Sequence, residues 1–212
     1  MAGKDTNRQI QGKLYIISAP SGAGKTSLLT ALLEDMDNIT VSVSHTTRNI
    51  RIGKENGVHY HFVNIDTFNK MNAEGKFLES AQVFDNYYGT SAAEVDRLRN
   101  SGQDVILEID WQGALLANKK YPDNSKIFIL PPDKIALRER LKARGQDDDE
   151  VIERRTREAV AEMSHYTEFD YLVINDDFFV AIDALKSIIT ANRLRMEIQV
   201  VKLNGLLKEL LD

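Results

Sequence analysis

The sequence predicts an α/β fold in three layers: a parallel core sheet with helices on both faces, an inserted mixed α/β subdomain and a helical lid. Apolar runs at 14–17, 104–110, 126–130 and 171–174 alternate with helical stretches, as expected for strands buried on both faces. Between 58 and 83 the pattern changes to apolar–polar alternation, which belongs to half-exposed strands outside that core. From 133 to 166 an Arg-rich helical stretch is broken at Gly145-Gln146-Asp147-Asp148-Asp149, as in a helix–loop–helix lid.

Taken in order, residues 1–12 are polar and read as a loosely ordered extension. The first strand runs into Ser18-Ala19-Pro20-Ser21-Gly22-Ala23-Gly24-Lys25-Thr26, and Leu28, Leu29, Leu32, Leu33 and Met36 then fall on one helical face. Strand, Gly-rich loop and helix in that order are the context of a phosphate-binding P-loop. Glycines let consecutive backbone N–H groups turn inward around phosphate oxygens, and the helix N-terminus adds partial positive charge. Lys25 can reach β- and γ-phosphates, and the Thr26 hydroxyl can ligate Mg²⁺. The expected ligand is a nucleoside polyphosphate. Ala19 stands where the motif has its first Gly, which requires a negative φ there.

Residues 39–44 (ITVSVS) read as a second core strand. The following stretch, His45 to Gly57, is polar, basic and too long for a mere connection. Strands expected at 58–63 and 77–83 flank a short helix at 66–75 and are taken as antiparallel, with Asn86-Tyr87-Tyr88-Gly89 as a turn. Ser91 and Glu94 have capping-box spacing for a helix that stops near Gly102. The organisation expected is a core of 13–43, 95–132 and 167–194, a subdomain of 44–94, a lid of 133–166 and a C-terminal helical extension of 195–212. Two helical stretches are expected after Asp177. The last could pack on a second copy of the chain or on its own core.

Composition limits the function classes. With 212 residues, 42% hydrophobic and 28% charged, the chain has the make-up of a soluble globular protein. A net charge of −5 gives it no overall attraction to nucleic acid or anionic membrane. The absence of cysteine excludes disulfides, thiolate metal sites and a Cys nucleophile. Met1 to Gln11 has no apolar segment of a signal peptide, and no run nears the ~18–20 residues of a membrane span. The expectation is a cytoplasmic protein.

Several side chains are candidates for chemistry. Asp110, at the carboxyl end of a strand, has the position from which an acid helps hold Mg²⁺ or its waters. Arg48 and Arg51, with Tyr60 and Tyr88, have the chemistry to hold an acceptor phosphate, since guanidinium binds phosphate in two-pronged fashion and tyrosine adds neutral donors. Arg140 and Arg144 share a helix face, with Arg155 on the second arm, and could close on a transferring phosphoryl group. Glu79 sits mid-strand on the face of Phe77 and Ala81. By its strand position alone it reads as solvated, although a carboxylate there could accept from guanine N1–H and N2–H₂, with Ser44 and Thr90 adding hydroxyls. The four histidines have no ligand or triad spacing and receive no role.

These residues resemble the bacterial guanylate kinases over roughly 13–190. The resemblance rests on the loop 18–26, Val43-Ser44-His45-Thr46-Thr47-Arg48 with Arg51, Asn56-Gly57-Val58-His59-Tyr60 and Glu79. It continues through Asn86-Tyr87-Tyr88-Gly89-Thr90, Ile109-Asp110-Trp111-Gln112-Gly113, Arg140 with Arg144-Gly145, and Val173-Ile174-Asn175-Asp176-Asp177. It implies a P-loop fold and Mg²⁺-dependent transfer of the ATP γ-phosphate to GMP, with dGMP as a second acceptor. Ser44, Glu79 and Thr90 would then read guanine, with Gly89 and Asp110 beside them. Arg48, Arg51, Tyr60 and Tyr88 would hold the GMP phosphate. Residues 19–26 (Ala19, Pro20, Ser21, Gly22, Ala23, Gly24, Lys25, Thr26) would take the ATP phosphates, and Asn175 would lie by the ATP base. Thr26 and Asp110 would serve the metal, and Arg140, Arg144 and Arg155 would be lid arginines. Ala19 and Lys54, the latter where an acid is usual, depart from the pattern. The alternatives are an inactive interaction module of the same fold and a P-loop kinase for another nucleoside monophosphate.

Overall fold

The computed structural model describes residues 10–83, 85–143 and 149–212. Its core is a five-stranded parallel sheet of order β2-β7-β1-β8-β9. These strands are β1 (Leu14–Ser18), β2 (Ile39–Val41), β7 (Asp104–Glu108), β8 (Ser125–Leu130) and β9 (Tyr171–Ile174). All five residues of β1 are buried, because the strand is central and covered on both faces.

Alternation along β1 divides the core into two layers. Tyr15 and Ile17 pack with Leu28 and Leu32 of α1 (Lys25–Asp35) and with Ile182, Leu185 and Ile189 of α7 (Phe178–Arg193). Leu14 and Ile16 face the opposite way, toward Val95 of α3 (Ala92–Asn100) and Ala114 and Ala117 of α4 (Trp111–Lys120). Each such aliphatic side chain contributes ~1.5–3 kcal/mol on burial. The P-loop is therefore anchored to the central, fully buried strand of the core sheet.

A second sheet, β4-β3-β6-β5, is built from β3 (His45–Thr46), β4 (His61–Phe62), β5 (Phe77–Val83) and β6 (Asn86–Ser91). Helix α2 (Ile65–Ala73) packs Phe68 under it, against Phe77 with ring centroids 4.7 Å apart. The stretch expected to form a lid contains α5 (Lys134–Lys142) and α6 (Asp149–Met163). They share a small apolar cluster of Leu137, Leu141, Ile152 and Ala159, and the 3₁₀ turn Ser164–Glu168 leads back to β9.

Local patterns misplace several boundaries. The run 39–44 is not one strand: Ile39–Val41 joins the core sheet, and His45–Thr46 joins the second. Of 58–63 only His61–Phe62 forms a strand, and it runs parallel to β3, not antiparallel, while Tyr60 makes an isolated bridge with Asn56. The long connection from Thr47 to Tyr60 supplies the crossover that a parallel pair needs. Asn86–Gly89 is not a turn but the start of β6, with the reversal lying between the paired residues Val83 and Asn86. There Tyr87 packs on Phe68 and Tyr88 on Tyr60, and these tertiary contacts override the turn-like local composition.

After Asp177 come three helices, not two: α7, α8 (Met196–Lys202) and α9 (Asn204–Leu211). Leu194, Met196, Leu206 and Leu210 on this last segment are exposed. Among the described residues no helix is long and apolar enough to cross a membrane.

Candidate active site

The P-loop closes around two left-handed glycines, Gly22 at φ 92° and Gly24 at φ 89°. Gly24 is the N-cap of α1 and supplies no side-chain cap, so the first N–H groups of that helix are left for a ligand. Both glycines are also packing requirements. A Cβ on Gly24 would lie 2.4 Å from Asn175 Nδ2, and one on Gly22 would lie 2.9 Å from Leu137 Cδ1 of the lid. Ala19 is not among the residues with positive φ, so its Cβ fits the loop opening.

Asn175, just past the end of β9, is buried and donates its amide to the Ala23 carbonyl at 2.7 Å. It props the loop from behind and is not among the residues lining the cavity described below.

Strand β7 ends at Glu108, two residues before the expected acid. Glu108 Oε1 accepts from the Thr26 hydroxyl at 3.2 Å and lies 3.9 Å from Lys25 Nζ. Parallel pairing of Ile17 with Glu108 brings the two strand ends level and sets this contact. Asp110 caps α4 instead, accepting from the Gly113 N–H at 2.7 Å. Glu108 was not singled out in the sequence. The signal available was a second carboxylate two residues earlier, nearer the end of the apolar run.

The second sheet contributes the facing wall. Register pairs Glu79 with Thr90, and Glu79 Oε1 accepts from the Thr90 hydroxyl at 2.6 Å. Ser44 Oγ lies 3.4 Å from Thr90 Oγ1. Glu79 is only 6% exposed, against the solvated reading of its strand position. Glu79 does not share a face with Phe77: the register of β5 on β6 shifts between them, so Phe77 lies toward α2 and Glu79 toward α4. There Gly113 leaves room: a Cβ would lie 3.1 Å from Glu79 Oε2 and 3.3 Å from Asp110 Oδ1. Burial pushes the Glu79 carboxyl up to about 7. The Thr90 hydroxyl opposes that shift, and the nearby Asp110 adds to it.

Arg48, Tyr60 and Tyr88 form a neighbouring cluster. Arg48 Cζ lies 5.2 Å from the Tyr60 ring centroid, and the Tyr60 and Tyr88 rings meet edge-on at 5.9 Å. Burial holds the Tyr60 hydroxyl above its ordinary value, which keeps it a neutral donor. Arg48 Nε is buried without a hydrogen-bond partner. A buried unpaired N–H on a cation is costly, and an incoming anion would satisfy it. Arg51 sits apart on the exposed loop, and Gly89 lies under Phe77, where a Cβ would come within 2.9 Å of the ring.

From the lid, Arg155 Nη2 donates to Ser21 Oγ at 3.1 Å. Arg140 reaches the other side of the loop and donates to the Asn175 carbonyl at 2.9 Å, leaving Nη1 buried without a partner. Arg144 lies outside the described residues. Glu158 and Glu162, to which the sequence reading gave no role, enter the site beside Arg155.

These parts enclose one cavity of about 340 Å³. The P-loop, Glu108 and Asp110 form one side, Ser44, Tyr60, Glu79 and Tyr88 a second, and α6 a third. Such a volume is in the range of small-molecule sites. Its walls have a sharp division of labour: backbone donors and Lys25 for anions at one end, a buried carboxylate for N–H donors at the other.

A sequence model of the family described as guanylate kinase matches residues 11–192. The guanylate kinase of Pseudomonas fluorescens is 56% identical over 200 residues, covering 94% of this chain and 97% of that protein. The chain belongs to the guanylate kinase family. The guanylate kinase of Escherichia coli K12 is 54% identical over 203 residues, covering 95% of this chain and 98% of that one. The crystal structure of guanylate kinase from Anaplasma phagocytophilum superposes with a TM-score of 0.74 at 31% identity, covering 89% of each chain. A guanylate kinase fold thus places the P-loop, the second sheet and α6 around one cavity.

Proposed function

We propose that this chain transfers the γ-phosphate of ATP to GMP, giving ADP and GDP. The observation that carries the assignment is the single cavity joining an uncapped P-loop helix to the buried carboxylate of Glu79. In this reading the loop N–H groups and Lys25 hold the β- and γ-phosphates, where they oppose charge developing as the phosphoryl group moves. Glu79 accepts from guanine N1–H and N2–H₂, while Ser44 and Thr90 add hydroxyl contacts. Arg48, Tyr60 and Tyr88 take the GMP phosphate, with Arg51 reaching in from the loop. An oxygen of that phosphate attacks, so the protein needs no nucleophile of its own.

The donors beside the loop suit Mg²⁺. The Thr26 hydroxyl and Glu108 carboxylate are hard oxygens 3.2 Å apart, with Asp110 in the same cavity wall. Among the described residues no cluster of three metal-binding side chains exists, so phosphate oxygens and water would complete the shell. Bound there, the ion would neutralise charge on the β- and γ-phosphates. In this reading Arg155, which donates to Ser21 on the loop, covers the transferring group and excludes water, which would otherwise compete as acceptor.

ADP release offered GMP, AMP, CMP and UMP in turn, with Mg²⁺ and ATP, tests the assignment. Turnover is expected with GMP alone among the four. Comparable turnover with another base would keep the P-loop reading and remove Glu79 as the base reader.

The same reading places the chain in the cytoplasm and assigns the exposed apolar face of α8 and α9 to a second copy. Sedimentation at the mass of one chain at micromolar concentration would count against that pairing.

A further inference from the structure

Trp111 and His165 make the closest ring contact among the described residues, with centroids 3.4 Å apart and planes 8° from parallel. Neither lines the cavity, and phosphoryl transfer gives neither a task. They come from different walls of it. Trp111 opens α4, beside the capping Asp110 and two residues before Gly113, where a Cβ would meet the Glu79 carboxylate at 3.1 Å. His165 lies two residues past the end of α6, the helix that carries Arg155 to Ser21. Direct overlap is the less favoured arrangement of two aromatic rings, so something must hold it. Glu168 does so from the His165 side, its Oε1 lying 2.8 Å from the ring Nδ1. Just beyond, the chain is pinned to the core. Lys126 Nζ of β8 donates to the Glu168 carbonyl at 2.6 Å, and Phe169 packs on Phe128 with centroids 4.8 Å apart. His165 therefore stands where α6 leaves a fixed point, with Trp111 against it.

We propose that the Trp111–His165 stack couples the two substrate ends of the cavity: a base held at Glu79 sets, through α4, where α6 lies over the phosphate loop. The coupling rests on Glu79 being the guanine acceptor, as proposed above. Its route is short. Gly113 leaves the Glu79 carboxylate so little room that a shift of that group is felt by the first turn of α4. The turn is stiffened by the Asp110 cap, 2.7 Å from the Gly113 N–H, so Trp111 moves with it. The indole face then carries the His165 ring, and with it the end of α6. Packed interiors pass such shifts on because they have no free volume in which to absorb them. Coupling between two sites is reciprocal, so a nucleotide on the P-loop must tighten GMP by the same factor that GMP tightens it. Trp111 and His165 touch no substrate in this account and are positioning residues.

The test measures binding without turnover. GMP is titrated against the full chain and its His165→Ala, His165→Phe and Glu79→Gln variants, with and without a saturating Mg²⁺ complex of a non-hydrolysable ATP analogue. The analogue is expected to tighten GMP binding by roughly five- to twentyfold in the parent. In His165→Ala the tightening should fall to about twofold or less, while GMP affinity without the analogue stays as it was. His165→Phe keeps a ring on Trp111 and should recover most of it. Trp111 is the chain's one tryptophan, so its emission reports on the stack directly and should shift when GMP alone binds the parent. No tightening in the parent, or full tightening in His165→Ala, overturns the proposal. So does an emission that GMP leaves unmoved, or a His165→Phe variant no better than His165→Ala. A fall in GMP affinity without the analogue in His165→Ala makes the pair structural and overturns it too. If Glu79→Gln binds GMP as the parent does, the base assignment fails and the coupling with it. Weakened GMP binding by Glu79→Gln, beside full tightening in His165→Ala, removes the stack alone.

Discussion

Lys25→Ala is expected to lower kcat by roughly 10²–10³-fold or more, the scale on which removal of one preorganised charge-stabilising group acts. Two effects combine. The ammonium that opposes charge on the transferring phosphoryl group is lost. Glu108, whose carboxylate lies 3.9 Å from Lys25 Nζ, is left facing the phosphates with one cation fewer. The local change is therefore from a screened carboxylate to a repelling one. GMP affinity should move little, because the guanine contacts lie on the opposite wall. Steady-state kinetics alongside a GMP titration separates the two, and a kcat within a factor of a few of the parent would dismiss the role.

Glu79→Gln should cost GMP binding still more selectively. Two hydrogen bonds to a charged acceptor are worth about 3–6 kcal/mol together, or roughly 10²–10⁴ in affinity. The amide of Gln would also present a donor to a donor. The carboxyl titrates at about 7 in the free protein, because it is buried. Guanine requires the ionised form, so binding below that value must first expel a proton. GMP affinity is then expected to rise with pH, by up to about tenfold per unit below 7, and to level off above it. The GMP phosphate itself titrates near pH ~6, and Glu79→Gln isolates that contribution.

The stability signature has the opposite sign. A carboxyl raised from 4.5 to about 7 on folding destabilises the native state wherever the unfolded chain would ionise it. That cost is absent below about 4.5, grows through the interval and is complete above about 7, on the order of 3 kcal/mol. Nucleotide-free Glu79→Gln should accordingly melt higher than the parent at pH 8, with the gain fading toward pH 5. Thermal unfolding at the two pH values decides this. A variant that melts lower at pH 8 would mean that the Thr90 bond outweighs the buried charge.

What was legible in the sequence was whatever a short stretch enforces by itself. The P-loop is set by the residues between a fully apolar strand and an amphipathic helix, with glycine where φ is positive at Gly22 and Gly24. The parallel core follows from apolar runs that only a sheet covered on both faces can bury. The lid's two arms follow from helical spacing in 133–166. Arg48 and Tyr60 were candidates by their chemistry beside a P-loop, whereas Glu79 was reachable as a base reader only through resemblance to a family. The surroundings of Glu79 in the sequence describe only a polar strand.

Tertiary structure decided what depends on elements meeting. Burial of Glu79 required α4 to cover β5, with a glycine at 113 to admit the carboxylate. The choice of Glu108 over Asp110 as the acid beside Thr26 required the register of β7 on β1. The parallel β3–β4 pair required a long excursion of chain, and β6 required aromatic partners from α2 and from the loop. Arg155 meets Ser21 only when α6 folds onto a loop 134 residues away in sequence. Local chemistry fixes which anions and bases the chain can bind. Long-range packing fixes which carboxylates are dry enough, and close enough, to do it.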